Sequence, residues 1–330
     1  MATESTTCDS PAQAVALLEK LYAQQIEITA ARFRRYATAK LASDDRQQGL
    51  YPQISVEIPA DQATETSHLA SGHLADINTY CTTITEPKLY RTYLLDQLQR
   101  IATTFTAKIR VELSDTPIPL AFALEDAGAG LDRAKKEKLP NYFHTPNLVK
   151  TNDEIVDGGQ IFQGEEASAL ALFTAERVDY SLHRIRHYCA TDPEHFQPFI
   201  LFTNYQRYVD EFIEHGLAEV KSGKATKLVE PGNRITGQDG KPSAPPIADH
   251  LAVLRPHVWL MIGHCGALRR TQRLGDYVLA HAYLRDDNVL DDVLPPSIPL
   301  PTIAEVQLAL TQAVQEETGI DKSRLKQQLR

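Results

Sequence analysis

The chain has 330 residues, a length typical of about two domains. Asp and Glu (43) outnumber Lys and Arg (34), so the formal net charge is −9. This balance lacks the positive surface that binds nucleic acid or anionic membranes, and we expect neither partner. The four widely spaced cysteines form no C-x-x-C pair, which argues against a zinc site and a disulfide framework. The N-terminus has no signal-peptide pattern, so we expect a cytoplasmic protein.

The first part of the chain alternates helical and strand patterns. Ser10 can cap a helix that begins at Pro11, and Pro87 is placed to open a second helix. A third helical pattern runs from Glu165 to Tyr188. Alternating apolar residues predict three strands, at 54–58, 80–85 and 108–113. We therefore predict a small N-terminal α+β domain over residues 1–190.

The second part, residues 191–330, reads as an α/β domain. Apolar runs predict strands at 199–202, 258–262 and 277–283, and a helix follows the first of them. Thr302 and Glu305 form a capping-box pattern before a last helix. Residues 221–246 are rich in Gly and Pro and are predicted to be a loop. A strand–helix–strand order favours parallel pairing, with ligands bound beyond the carboxyl ends of the strands.

The turn Gly263-His264-Cys265-Gly266 directly follows one of these strands. Its two glycines allow the backbone to approach a flat ligand closely, although a plain chain reversal would need the same residues. His264 and Cys265 are adjacent, so their side chains point apart on extended chain and do not form a Cys–His nucleophile. The turn is the first candidate for a ligand site.

A basic segment is the second candidate. His183 and His187 have the i, i+4 spacing of a zinc pair, but neighbouring arginines disfavour a cation and no metal site is expected. The same positive charge suits an anion through bidentate guanidinium contacts, or it is a solvated basic face. Both interpretations concern Arg177, Arg184, Arg186 and His187.

Three runs of the second part resemble the AMP nucleosidase family. They are FILFTNYQRYVDEF (199–212), DHLAVLRPHVWLMIGHCG (249–266) and GDYVLAHAYLRDD (275–287). Thr82–Thr85 and Arg91–Leu94 are similar to the regulatory domain of that family. The resemblance covers nearly the whole chain. It implies hydrolysis of the N-glycosidic bond of AMP to adenine and ribose 5-phosphate.

The resemblance also implies a fold and a mode of control. The expected architecture is an N-terminal regulatory α+β domain followed by an incomplete α/β domain of the nucleoside phosphorylase type. The family implies activation by MgATP, inhibition by phosphate and assembly as a homo-hexamer, with no required cofactor.

Site residues follow from the resemblance position by position. Asn204 and Arg207 are expected to face the ribose phosphate, and His195 is a candidate sugar contact. The base-contacting turn comprises Gly263, His264, Cys265 and Gly266. Met261 and His264 stand where phosphorylases have an Arg and a Ser that bind the attacking phosphate, which favours water as the nucleophile.

Two family segments are missing from the 330 residues. Asp-Met-Glu-Ser would supply the Glu that holds the ribose hydroxyls, and Ser-Asp-Lys-Pro would supply the Asp that protonates adenine N7. We therefore expect either an internally deleted and shortened form or a part of a longer protein, and its catalytic acid is not identified. The alternative functions are a non-catalytic nucleotide-binding or assembly protein and, disfavoured by Met261 and His264, a nucleoside phosphorylase.

Overall fold

The computed structural model describes most of the chain, and the architecture below concerns those residues. The described ranges are 5–38, 48–59, 67–69, 72–74, 79–124, 127–147, 167–169, 173–189, 192–196, 199–203, 205–215, 248, 250–268, 270–284 and 295–319. The predicted loop at 221–246 lies outside them.

The chain divides into two compact units. The first contains the residues up to Phe196 together with the segment that ends at Arg255. The second contains the strand and helix that follow Gln197 and all residues from Pro256 onward. The described residues of both units combine helices with strands, which confirms the predicted α/β fold class.

Seven α-helices have both ends within the described residues. They are α1 (Pro11–Thr38), α2 (Arg91–Thr104), α3 (Leu120–Ala123), α4 (Arg133–Lys138), α5 (Ala175–Cys189), α6 (Gln206–Glu214) and α7 (Ala304–Thr318). Single 3-10 turns add Leu139–Asn141 and Pro193–His195. The start of α1 is as predicted, because the Ser10 hydroxyl accepts a hydrogen bond from the Gln13 amide at 3.2 Å.

A five-stranded sheet organises the first unit. Its strands are β1 (Thr6–Cys8), β2 (Leu50–Glu57), β5 (Thr79–Thr83), β6 (Lys108–Pro117) and β7 (Ala167–Ala169). Their order in the sheet is β1-β6-β2-β5-β7, and all pairings are antiparallel except that of β5 with β7. A separate hairpin pairs β3 (Ser67–Leu69) with β4 (Gly72–Leu74).

The main core lies between this sheet and the helices α1 and α2. Cross-strand register aligns Val56 with Ile109 and Ile54 with Val111, so one face of the central strands is a continuous apolar surface. The predicted stripe on α2 is buried, as are the facing residues of α1. Members of this core include Val15, Leu18, Ile54, Val56, Leu94, Leu98, Ile101, Ile109 and Val111.

The second helix starts later than predicted. It begins at Arg91 rather than at Pro87, and residues 87–90 form turns instead. Proline excludes the residue before it from right-handed helix, and Glu86 has a φ of 41°. The Arg91 amide then bonds the Lys88 carbonyl in a three-residue turn before the helix begins.

Three other sequence predictions are also corrected. Within 165–188 the helix begins only at Ala175, because residues 167–169 pair with β5 and tertiary pairing overrides their helix propensity. The helix α7 is capped by Ile303 without a side-chain bond, so the Thr302–Glu305 capping box does not form. Of the predicted strand at 277–283, only Ala282–Tyr283 (β10) is extended, paired with Leu300–Pro301 (β11).

Gly49 is required where α1 passes the start of β2. A Cβ at this position would lie 2.2 Å from the carbonyl oxygen of Gln25 and 2.7 Å from the Thr29 hydroxyl. That hydroxyl accepts a hydrogen bond from the Gly49 amide at 3.2 Å. The close approach of helix and strand therefore depends on the absence of a side chain.

We expect Gly49→Ala to destabilise the first unit by roughly 1–3 kcal/mol, because α1 must move away from β2. Urea unfolding followed by circular dichroism measures the loss. Gly130→Ala is the matched control, since a Cβ at Gly130 has no atom within 4 Å, and its effect should stay within about 0.5 kcal/mol. Equal midpoints for the two variants would contradict the close-packing argument.

Candidate functional site

The first candidate site is at the carboxyl ends of two parallel strands in the second unit. Strand β8 (Phe199–Thr203) pairs with β9 (Val258–Ile262) in parallel, with Thr203 opposite Ile262. The predicted parallel pairing is thus confirmed. Because both strands end at the same edge, the residues that follow them lie side by side.

His264 is the centre of a side-chain cluster at this edge. The Tyr205 ring lies against its imidazole, with ring centroids 4.0 Å apart and planes tilted by 35°. The Tyr208 hydroxyl is 3.2 Å from His264 Nε2, and the Arg207 guanidinium contacts the same nitrogen. The Arg207 guanidinium also donates to the Tyr208 hydroxyl at 3.3 Å.

These contacts decide which imidazole nitrogen can accept. Arg207 can only donate hydrogen bonds, so its contact requires a lone pair on His264 Nε2. The proton of the neutral ring is then on Nδ1, which is left as a donor. The helix α6 begins at Gln206, so its free N-terminal amides point toward the same edge of the sheet.

The cluster combines flat rings with positive charge and is open to solvent. The Arg207 guanidinium lies 5.0 Å from the Tyr208 ring centroid and 5.8 Å from that of Tyr205. Arg207 and His264 are exposed, and the two tyrosines are half-buried. Such a surface can stack a planar heterocycle and neutralise an anion at the same time.

The structure brings together some of the predicted site residues. Arg207 and His264 are in contact, and Gly263, Cys265 and Gly266 follow as exposed residues of the turn. Asn204 and the side chain of His195 lie outside the described residues; the backbone of His195 ends the 3-10 turn Pro193–His195 of the first unit. Tyr205 and Tyr208 were missed, although aromatic residues three apart at a helix start were the available signal.

The basic segment 177–187 is not the open anion cluster that was one interpretation of the sequence, because its guanidinium groups contact neighbouring side chains. Arg177 is only 3% exposed and donates to the Ser181 hydroxyl at 2.8 Å. The Arg184 guanidinium lies over the Tyr180 ring at 5.1 Å, and that of Arg186 is 3.9 Å from the Asp192 carboxylate. The guanidinium groups are engaged by neighbours in the first unit, and this interpretation of the sequence was wrong. The side chain of His187 is outside the described residues.

A buried carboxyl group is a second polar feature, and the sequence did not reveal it. Asp179 on α5 accepts hydrogen bonds from the Tyr51 hydroxyl at 2.5 Å and from the Thr85 hydroxyl at 2.6 Å. Burial raises the pKa of Asp179 to about 7 despite these two bonds, and the charges of Glu86 and Glu176 act in the same direction. Burial also raises the pKa of Glu86.

No group of three or more His, Cys, Asp or Glu side chains in the described residues could hold a metal ion. None of the helices there combines the length and apolar character needed to cross a bilayer.

Comparisons with known proteins identify relatives of both parts of the chain. Residues 13–167 match the family described as the N-terminus of bacterial AMP nucleoside phosphorylase. The AMP nucleosidase of Escherichia coli (strain K12) is 40% identical over 365 aligned positions, which cover 97% of this chain and 75% of that protein. The AMP nucleosidase of Escherichia coli O157:H7 matches to the same extent. Because the alignment is longer than the chain, some aligned positions of the relatives have no residue opposite them here.

The Asp179 carboxyl group gives a prediction about pH. The folded state keeps a proton on Asp179 up to about pH 7, whereas the unfolded chain loses it near its ordinary value of 3.8. Raising the pH from 4 to 7 therefore lowers the free energy of unfolding, by up to roughly 4 kcal/mol from this group, and has no further effect above pH 7. Asp179→Asn removes this contribution. The urea midpoint of the variant minus that of the wild type should therefore increase as the pH rises from 4.5 to 7.

The control is Asp96→Asn, which removes an exposed carboxylate paired with Arg100 on α2. Its urea midpoint should follow the wild type at every pH within that range. Parallel pH profiles for wild type and Asp179→Asn would show that this carboxyl group does not hold its proton in the folded state.

Proposed function

The chain belongs to the AMP nucleosidase family, and from this premise we propose how it binds AMP and how it is controlled. Its function is hydrolysis of the N-glycosidic bond of AMP, which yields adenine and ribose 5-phosphate. The observation that carries this conclusion is the 40% identity to AMP nucleosidases over 97% of the chain.

We propose that Arg207 binds the 5′-phosphate of AMP. Its guanidinium is exposed and lies in the first turn of α6, where free amides and the helix dipole favour an anion. A guanidinium has five N–H donors, so it can hold a phosphate while it keeps a contact to His264. Asn204 is proposed as a second phosphate contact because it adjoins this turn in sequence, and His195 remains a proposed sugar contact.

The turn Gly263–Gly266 is proposed to take the adenine base and the adjoining sugar. Gly266 has open space around its Cα, so a ring can approach the backbone, and His264 offers Nδ1–H as a donor beside the Tyr205 ring. Cys265 is exposed on the same turn. Stacking of a base on such rings contributes about 1–3 kcal/mol.

Water is proposed as the nucleophile. At the positions where phosphorylases hold their attacking phosphate, this chain has Met261 and His264. Met261 is 76% exposed and its thioether cannot bind an anion. His264 is already held by Arg207 and Tyr208 through Nε2. The two described residues at these positions therefore do not form the clamp that phosphorolysis requires.

No carboxylic acid is found among the described side chains that contact His264. Protonation of the departing adenine by a general acid contributes typically 10²–10⁴-fold to such a rate. This observation favours a second candidate function, a form that binds AMP and related nucleotides without rapid turnover. The two functions differ in turnover, not in the binding site.

We further propose that the first unit confers control. The family domain matched at residues 13–167 falls within that unit, and MgATP as activator and phosphate as inhibitor are the proposed effectors. A homo-hexamer, a cytoplasmic location and a role in purine salvage are proposed as well. No cofactor is needed for hydrolysis by water.

Adenine release from AMP tests the function. The purified chain, with its intact mass verified, is incubated with AMP, and the products are separated by chromatography. We expect adenine and ribose 5-phosphate in equal amounts, more with MgATP and less with phosphate. Bound AMP without adenine would establish the second candidate, and cleavage only in the presence of phosphate would exclude hydrolysis.

Arg207→Gln tests the phosphate contact. Charge-assisted hydrogen bonds of this kind contribute about 1.5–3 kcal/mol, so kcat/KM for AMP should fall roughly 10–100-fold. The same ratio for adenosine, which has no phosphate, should be unchanged. Arg270→Gln, at another exposed arginine of the second unit, is the control. Equal losses for AMP and adenosine would show that Arg207 does not bind the phosphate.

A further inference from the structure

Tyr208 lies in the candidate site but makes none of the proposed contacts with AMP. It belongs to the first turn of α6, directly after Arg207, and its side chain is half-buried. The Tyr208 amide donates to the Tyr205 carbonyl at 3.2 Å, and the Tyr205 amide donates to the Thr203 hydroxyl at 3.3 Å. These bonds close the turn between β8 and α6, and they fix the point at which the Tyr208 side chain leaves the helix.

The Tyr208 hydroxyl joins two neighbouring side chains in a ring of hydrogen bonds. Its oxygen accepts from Arg207 Nη2 at 3.3 Å, and its proton can be donated to His264 Nε2, 3.2 Å away. Arg207 Nη2 also donates to the same nitrogen of His264. A hydroxyl donates and accepts at the same time, whereas a guanidinium only donates. Tyrosine at this position therefore satisfies the arginine and the histidine together.

These bonds hold the Arg207 guanidinium through one of its three nitrogens. In the part of the chain that the structure describes, its hydrogen bonds start from Nη2, so the protons of Nη1 and Nε remain as donors. The side chain is exposed, and its guanidinium carbon lies 5.0 Å from the centre of the Tyr208 ring. Arg207 is thus fixed in place while two of its nitrogens can still bind a ligand.

The groups that hold Arg207 carry no charge. A tyrosine hydroxyl and a neutral imidazole accept hydrogen bonds without cancelling the positive charge, and no described carboxylate is paired with Arg207. Asp210, one turn further along α6, accepts from the Gln206 side chain instead. On α2, by contrast, Arg100 is neutralised by Asp96. A guanidinium that is positioned but not neutralised is suited to an anion.

We propose that Tyr208 is a positioning residue that, together with His264, holds Arg207 for the 5′-phosphate of AMP. Tyr208 thereby favours nucleotides that carry a phosphate over uncharged nucleosides. An exposed arginine has many rotamers, and a side chain that is fixed before the ligand arrives loses less entropy on binding. The role of Tyr208 rests on the proposed contact between Arg207 and the phosphate, and all three residues belong to the second unit.

Tyr208→Phe tests this role, because phenylalanine keeps the ring and removes only the hydroxyl. We expect KM for AMP to rise about threefold to tenfold and kcat to change by less than about twofold, since the lost hydrogen bond acts on phosphate binding. KM for adenosine, which has no phosphate, should stay at its wild-type value. Tyr208→Leu also removes the ring near the guanidinium, so it should raise KM for AMP further.

A double-mutant cycle measures whether Tyr208 acts through Arg207. In the Arg207→Gln background, Tyr208→Phe should cause no further rise in KM for AMP, because the guanidinium that the hydroxyl holds is gone. Equal effects of Tyr208→Phe in the two backgrounds would overturn the positioning role. Tyr283→Phe, at another exposed tyrosine of the second unit, is the matched control and should leave KM for AMP and for adenosine unchanged.

The remaining outcomes separate the role of Tyr208 from the proposed function. A weaker affinity for AMP in Arg207→Gln without any change in Tyr208→Phe refutes the role of Tyr208 alone, as does an equal rise in KM for AMP and adenosine. If the wild-type chain binds AMP but releases no adenine, the proposed turnover fails. Dissociation constants from calorimetry then replace KM in the same comparisons. A wild-type chain that does not bind AMP overturns both proposals.

Discussion

The buried polar face of α5 is the constraint on which the first unit depends. Asp179 on this helix is held by Tyr51 and Thr85, which fixes α5 against the sheet. Arg177 and Ser181, on the same helix, hold His250. Leaving any of these groups buried without its hydrogen bonds would cost about 1–3 kcal/mol or more. Their mutual satisfaction therefore specifies one arrangement of helix, sheet and the segment before β9.

The candidate site in the second unit differs from this buried network in its scaffold and in its exposure to solvent. Its scaffold is a short parallel strand pair, and its functional groups are exposed rather than buried. Exposure suits a surface that binds a charged nucleotide, because the phosphate can replace its hydrogen bonds to water with hydrogen bonds to Arg207 and the helix amides. Rigidity then comes from the pairing of β8 with β9 and from stacking between Tyr205 and His264.

Several features were predictable because they depend on local sequence. Ser10 caps α1, the alternating residues of β2 and β6 face the core, and Arg207 and His264 follow strands whose apolar runs are evident. The family resemblance supplied the function and was confirmed by relatives 40% identical to the chain. Periodicity placed these elements correctly because each of them has one buried side.

Predictions failed where residues distant in sequence decide the outcome. Residues 167–169 become a strand because β5 offers backbone partners, although their composition favours a helix. The sequence predicts a basic surface that includes Arg177 and Arg184. In the structure Arg177 donates a hydrogen bond to Ser181, and the Arg184 guanidinium lies over the Tyr180 ring. Asp179 keeps its proton because it is buried, and its hydrogen-bond partner Tyr51 lies 128 positions away along the chain.

The sequence by itself therefore determined the family, the reaction, the order of most helices and strands, and the turn where AMP is proposed to bind. Only the tertiary structure decided which charges are buried, which tautomer His264 adopts, and that residues 250–255 are held by the first unit. The physical reason is that the periodicity of apolar residues indicates which face of a helix or strand is buried. The pKa of a carboxyl group and the partner of a guanidinium instead depend on contacts made through space.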